Sequence, residues 1–266
     1  MTTSRRCGLS VVVGSGKGWE SEGWRAVVET ARIAEHCGFH SIWLTDGKRD
    51  VHEVQPNPAL VAAAVAVNTQ RIRVRVETTV RPGSDHLRAA EDWSVVDNLS
   101  NARVELVSAL GADRAGEQIL AIRDLWSGKP VLRAGPGEEE YDVRTYPAPS
   151  QADLTLWLAD SGDGLPSEIT PEMTTGVFVR EELAFDQIAK RVALLREQFE
   201  AAGGGPARLA VTAGTALGPE EIQEIHGLGV EEVVYEIDIE GTRDHIAETI
   251  TALARASGLT AVTEIE

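Results

Sequence analysis

The sequence predicts a (β/α)8 barrel, and two observations predict it. Eight short β-rich runs alternate with amphipathic helical patterns from one end of the chain to the other. A length of 266 residues suits such a barrel folded as one domain. An open doubly wound sheet is the runner-up, because strand number alone does not show closure.

Strands are expected at Leu9–Val13, Ser41–Thr45, Ile72–Thr79 and Arg103–Ser108, then at Thr155–Ala159, Gly176–Val179, Leu209–Ala213 and Glu232–Ile237. The opening MTTSRRCGLSVVV has two arginines and few apolar residues before Gly14, the pattern of a first strand and not of a signal peptide. Apolar residues three and four apart mark the helices between. Trp24, Val27, Val28 and Ala31 mark the first, Phe185, Ile188, Val192 and Leu195 a later one. Ile222, Ile225 and Leu228 mark the seventh, and Ile246, Ile250 and Leu253 the last. Pro58 after Asn57 and Pro219 after Gly218 stand where proline favours a helix start.

Two places depart from a regular repeat. Residues 127–153 hold an expected hairpin, Glu140–Thr145, that ends in a proline-rich turn. Residues 160–175 leave room for only a stub of the fifth helix. With no low-complexity segment and no interdomain linker, residues 1–266 are expected to form a single barrel domain with shortened loops.

Composition narrows the function classes. Hydrophobic residues make up 42% and charged residues 25%, an ordinary globular balance. A formal net charge of −17 argues against nucleic acid or an anionic membrane as partner, since both require phosphate neutralisation. Cys7 and Cys37 are too few for a disulfide framework, and no metal-binding spacing is present. No apolar run approaches membrane-spanning length, so a cytoplasmic location is expected.

The stretch AEDWSVVDNLSNARVELVSALG, residues 90–111, is the most informative. Trp93, Val96 and Leu99 follow a helical pattern that breaks at Ser100-Asn101, and a strand resumes at Arg103. The stretch resembles the bacterial luciferase-like monooxygenase family, in the flavin-dependent branch of natural-product pathways, where an AEEW-x-VVDNLS-x-GRV segment is characteristic. The segments AEHCGFHSIW (34–43), PNPALVAAAVAVNTQRIRVR (56–75), IRDLWSGKPV (122–131) and VRTYPAPSQADLTLWLADSG (143–162) extend the resemblance in the family's order. The resemblance implies a (β/α)8 barrel, reduced FMN supplied by a separate flavin reductase, and oxygenation of a substrate at the flavin. It also implies pairing through the second and third helices; a homodimer, or a heterodimer with a full-length homologue, is one expectation, and a buried face within the chain explains the small, apolar second helix equally well. The residues of 90–111 themselves are expected to serve packing and capping.

Several family features are altered. After Gly111 the chain passes almost directly into the fourth helix, without the family's long excursion over the barrel mouth. Leu110 stands where relatives have a small hydroxylated residue. The loop after the second strand reads DGKRDVHEV in place of an E-R-H-F-H-E type run, keeping only His52-Glu53 of the second pair. After the third strand, Glu77 stands where a glycine is expected. The conventional phosphate seat of a barrel, in the last two loops, is lined here by Glu220, Glu221, Glu236, Asp238 and Glu240, which compete with a phosphate.

Barrel chemistry sits at strand C-termini, where the polar residues are Thr45, Asp46, Thr78, Thr79, Ser108, Asp160, Ser161, Arg180, Thr212 and Glu236. His52 is the catalytic candidate, because imidazole titrates near neutral pH, although a solvated loop histidine is an equal reading. Asp46, Thr78, Ser108 and Ser161 are the cofactor-binding candidates. Arg81 and Arg180 are candidates for an anionic substrate group, or for pairing with Glu77, Asp160 or Glu236. Asp46, Asp160, Asp163, Glu236 and Asp238 offer oxygen ligands to a hard cation but have no spacing motif, so no metal is assigned. His86 is expected at a helix start.

Three functions follow. The first is an FMN-dependent monooxygenase acting on a small or carrier-bound secondary-metabolite intermediate. The second is a trimmed relative that no longer oxidises and binds flavin or product, or partners a full-length homologue. The third is a barrel recruited to non-redox cyclisation or isomerisation.

Overall fold

The computed structural model describes residues 6–13, 23–45, 57–77, 86–109, 115–134, 139–160, 174–205, 208–237, 239 and 243–261. The elements begin β1 (Cys7–Val12), α1 (Gly23–His36), β2 (Ser41–Thr45), α2 (Pro58–Val67), β3 (Arg73–Glu77) and α3 (His86–Ser100). They continue β4 (Val104–Ala109), α4 (Ala115–Trp126), β5 (Val131–Ala134), β6 (Glu140–Val143), β7 (Leu156–Asp160) and β8 (Gly176–Val179). The chain then forms α5 (Phe185–Ala201), β9 (Arg208–Ala213), α6 (Pro219–Gly227), β10 (Glu232–Ile237) and α7 (Arg243–Ala256).

Eight parallel strands close into a ring in the order β1-β10-β9-β8-β7-β4-β3-β2. Closure removes the open-sheet alternative. The spans Ser41–Thr45, Gly176–Val179 and Glu232–Ile237 are those the sequence predicts. The hairpin near residue 140 differs: Glu140–Val143 is its second strand, antiparallel to Val131–Ala134, which the sequence pattern does not mark as a strand. Among the described residues no helix separates β7 from β8, and the expected stub in 161–173 lies outside them.

Alternation along the strands sorts side chains into two cores. Leu9, Val11, Ile42, Leu44, Val74 and Val76 face outward, in a cluster with helix residues such as Val27, Val65, Trp93, Val192 and Ile250. A separate cluster of Trp43, Val107, Trp157, Ala159, Phe178, Ala210 and Val234 fills the bore. Thus the alternating RVRVE of β3 turns its valines toward the helices and its charges into the barrel.

The 90–111 stretch is a set of ties between elements. Ser100 Oγ accepts from Arg103 N (3.0 Å) and Val104 N (3.1 Å), closing the turn from α3 into β4. Arg103 reaches back to α2's end, donating to Thr69 Oγ1 (3.0 Å) and to the carbonyls of Ile72 (2.7 Å), Ala66 (2.8 Å) and Thr69 (2.9 Å). Asp97 accepts from Gln151 N (2.8 Å) and Nε2 (2.7 Å), and Asn98 Nδ2 donates to the Ala148 carbonyl (2.9 Å). These bonds dock the PAPSQ segment that leads into β7. The motif is architectural here, as its packing and capping pattern implies.

Its turn carries a local cost. Asn101 and Ala102 both adopt left-handed backbone conformations, with φ of 54° and 63°. Asparagine tolerates this region, whereas alanine's Cβ is strained there by roughly 1 kcal/mol. The x-GRV pattern that this stretch resembles has glycine at the position of Ala102. Ala102→Gly is therefore expected to raise stability by about 0.5–1 kcal/mol, offset partly by unfolded-state entropy, measured as a higher urea midpoint at unchanged slope. A lower midpoint would show that the turn does not hold this conformation.

Candidate active site

The barrel interior is stratified. Its N-terminal half holds a charged cluster around Arg75, whose side chain is fully buried. Arg75 Nε donates to Glu105 Oε2 (2.6 Å), and its Nη1 donates to Glu232. Trp157 Nε1 also donates to Glu105 Oε2 (2.7 Å), Arg73 Nη1 donates to Glu105 Oε1 (2.7 Å), and Ser41 Oγ donates to Glu232. The guanidinium lies 4.6 Å from the Trp43 ring and 4.4 Å from the Trp157 ring, so two indole faces line a cation that has no water shell. Burial pushes the Glu105 carboxyl up, but the Arg75 charge and hydrogen bond outweigh it and hold the carboxyl below the usual range. Two inward glycines make room. A Cβ on Gly8 would lie 2.5 Å from Glu232 Oε1, and one on Gly176 would lie 2.7 Å from Trp157.

Above this cluster, Trp43 packs on Phe178 (centroids 4.2 Å) and edge-on to Trp157 (5.5 Å). This layer seals the floor. The next inward residues form the mouth: Ser10, Thr45, Glu77, Arg180, Thr212 and, paired in register with Ser10, the exposed Glu236. Arg180, just past β8, donates through Nη1 to Glu77 Oε1 (2.8 Å) at the end of β3, and the two strands stand three places apart around the ring. Thr45 Oγ1 lies 3.4 Å from Ser10 Oγ and from the Val11 carbonyl, and Thr212 Oγ1 donates to the Val179 carbonyl (3.0 Å).

The predicted site residues fare unequally. Arg180 pairs with Glu77, one of the alternatives the sequence left open. Ser108 is buried and, by alternation, shares the helix-facing side of β4 with Val104 and Leu106. Asp160 shares the helix-facing side of β7 with Leu156 and Leu158, and Arg191 of α5 holds it bidentately at 2.7 Å and 2.7 Å. Glu236 is exposed, and His86 begins α3. Asp46, His52, Thr78, Thr79, Arg81, Ser161, Asp163 and Asp238 lie outside the described residues.

A sequence model of the luciferase-like monooxygenase family matches residues 7–224. The chain belongs to this family. The oxygenase component of the flavin-dependent trigonelline monooxygenase of Acinetobacter baylyi is 28% identical over 120 residues, covering 38% of this chain. The matched stretch spans a third of that relative's length, at 33%. The monooxygenase RslO1 from Streptomyces bottropensis shares the fold with a TM-score of 0.68 at 17% identity, over 94% of this chain and 98% of its own. An F420-dependent secondary alcohol dehydrogenase shares it with a TM-score of 0.67 at 12% identity, over 95% and 99%.

For a luciferase-like barrel, the seat of a cofactor phosphate can be tested on the described loops. At the end of β9, a Cβ on Gly214 would lie 2.6 Å from Glu182 Oε2, so a carboxylate rests against that glycine. The amide of Gly218, which precedes α6, donates to Glu221 Oε2 (2.8 Å). Two carboxylates therefore occupy the turn where a phosphate would need free donors, and that turn does not fit one. Among the described mouth residues the cation is Arg180. The sequence offers Glu77 as one of three partners for Arg180, but it does not reveal the Arg75 cluster. The signal available was the charge on every other residue of RVRVE.

Two predictions concern the foundation below the mouth. Arg75→Met leaves Glu105 and Glu232 buried without their shared cation, so a loss of about 3–5 kcal/mol is expected in urea unfolding. A loss under 1 kcal/mol would mean water reaches the cluster. Glu231 accepts from Arg208 Nε (2.6 Å) and Nη2 (2.8 Å); burial raises its pKa, but Arg208's hydrogen bonds and charge draw it down to about 2. A depressed carboxylate stabilises the fold above its unfolded value of 4.5 and ceases to do so as pH falls toward 2. The stability gap between the wild type and Glu231→Gln is thus expected to close across that interval. A pH-independent gap would refute the assignment.

Proposed function

We propose that this chain is the oxygenase component of a two-component, reduced-flavin monooxygenase, folded as a single barrel domain over residues 1–266. The observation that carries the proposal is the family match over residues 7–224, on a closed barrel whose mouth is floored by sealed aromatics and presents the partly exposed Arg180. Bound reduced FMN, delivered by a separate reductase, would supply the electrons for oxygen activation. The barrel's own contributions are positional. The Trp43–Phe178 layer keeps bulk water from entering from below, Thr45 and Thr212 line the wall, and Arg180 fixes an anionic group. His52 is the proposed proton-transfer residue, with Asp46, Thr78, Ser161 and Arg81 on the loops around the ligand. Ser108, on the helix-facing side of its strand, is proposed to support that wall from behind.

The substrate is proposed to be a secondary-metabolite intermediate, small or carrier-bound, and the protein to work in the cytoplasm. Among the described residues no helix is long and apolar enough to cross a membrane. Leu60 and Val67 of α2 and Val95 and Leu99 of α3 are exposed apolar residues on adjacent helices. They support pairing with a second copy or a longer homologue.

The test is a fluorescence titration with FMN and, anaerobically, with reduced FMN and with reduced F420, on protein whose mass is followed by sedimentation. Saturable binding of reduced FMN, with a new transient flavin absorbance on admitting oxygen and a dimer mass, is expected. Binding of F420 alone would redirect the assignment to hydride transfer, and binding of neither would sink the redox reading.

A further inference from the structure

We propose that Arg180, held in place across the bore by Glu77, is an oxyanion clamp that selects ligands bearing a carboxylate or phosphate group at the floor of the mouth. The inference rests on the mouth being the ligand site, but not on the ligand being a flavin.

The geometry divides the Arg180 guanidinium into a used part and an unused edge. Nη1 is taken by Glu77 Oε1 at 2.8 Å. The Nε–Nη2 edge has no partner among the described residues. This chain shows twice what that edge does when a carboxylate is in reach. Arg191 grips Asp160 through Nε and Nη2 at 2.7 Å and 2.7 Å, and Arg208 grips Glu231 the same way at 2.6 Å and 2.8 Å. In both, two parallel N–H bonds meet one carboxylate, which is the strongest arrangement an arginine makes.

Accessibility points the same way. The Glu77 side chain is 4% exposed and that of Arg180 is 28%, so the carboxylate lies beneath and the guanidinium faces the opening. Below them the aromatic layer of Trp43 and Phe178 stops a ligand from going deeper. Arg180 is therefore the more exposed member of its pair, in a polar layer that also holds Ser10, Thr45 and Thr212. Glu77 acts as a positioning residue: it spends one nitrogen of the fork to fix the plane of the rest, which lowers the ordering cost of each new bond. Glu77 and Arg180 together carry no net charge, so the clamp favours a ligand that can use both N–H groups at once over a simple halide. The carboxylates of Glu182 and Glu221 exclude an oxyanion from the neighbouring turn after β9, which leaves Arg180 as the cationic seat among the described mouth residues.

The experiment uses the full chain with 15N-labelled arginine side chains. The Arg180 Nε–H resonance is assigned by its absence in Arg180→Lys. Inorganic phosphate and benzoate are then titrated separately, with chloride as control. A saturable shift of the Arg180 signal with either oxyanion, but not with chloride, is expected. The signals of Arg191 and Arg208, already engaged, should stay fixed. Arg180→Lys keeps a cation beside Glu77 and so keeps the fold, yet it should weaken the bound oxyanion roughly tenfold, since a bidentate edge is lost. A response to phosphate alone names the cofactor's phosphate as the natural source, and a response to benzoate alone names a substrate carboxylate. A response of neither, or equal binding by Arg180→Lys, overturns the proposal. Benzoate binding in protein that takes up no flavin would keep the clamp while rejecting the monooxygenase reading.

Discussion

The rest of this barrel depends on a cation that water never touches. Arg75 is tolerable at the centre of the bore only because Glu105 and Glu232 bring opposite charge from two sides and two indole rings cover its faces. Every neighbouring choice follows from that requirement. Gly8 and Gly176 are small because a methyl group would strike Glu232 or Trp157. Ser41 satisfies the second carboxylate oxygen, and Trp157 turns its N–H to Glu105. A hydrophobic filling of the same volume is often at least as stable. The charged version adds direction: it ties β3 to β4 beside it and to β10 three strands away, so the ring closes in one register.

The same three-strand span recurs one layer up, where Glu77 of β3 meets Arg180 beyond β8. The strand β3 thus carries both cross-bore ties, two residues apart, on the inner side of its RVRVE pattern. The Asp160–Arg191 pair adds a third tie on the outer side, joining the end of β7 directly to α5.

Much of the fold was legible in the sequence, because period-two and period-3.6 patterns report the outer layer, where strand and helix residues are both apolar. Hence Ser41–Thr45, Gly176–Val179 and Glu232–Ile237 could be placed to the residue. What escaped was the inner layer. Alternating charge on a strand normally means a face in water, and nothing local in RVRVE says that Glu232, far along the chain, will neutralise Arg75. The strand Val131–Ala134 was missed for a related reason: it is short and half exposed, so it has no periodic face to read. At the site, Arg180 could be named from its place after a strand, but its tie to Glu77 depends on the closure of the ring. Ser108 and Asp160 show the limit of reasoning from strand ends, since one step of alternation turns a side chain from the bore to the helices.

These layers separate what the family shares from what this chain has changed. The ties of Ser100, Arg103, Asp97 and Asn98 lie where α3 turns back into β4, at the N-terminal end of the barrel, and do not touch the mouth. A motif placed there is independent of the mouth, because among the described residues its bonds reach only the N-terminal end. Glu77 is the exception. It stands inside the mouth at a position where relatives are expected to carry glycine, and it brings a charge into space that a glycine would leave open. A carboxylate in that place requires a cation, and Arg180 supplies it from across the ring. Glu77 and its partner therefore set the depth and the chemistry of the mouth together, one layer above the Arg75 cluster on which the barrel stands.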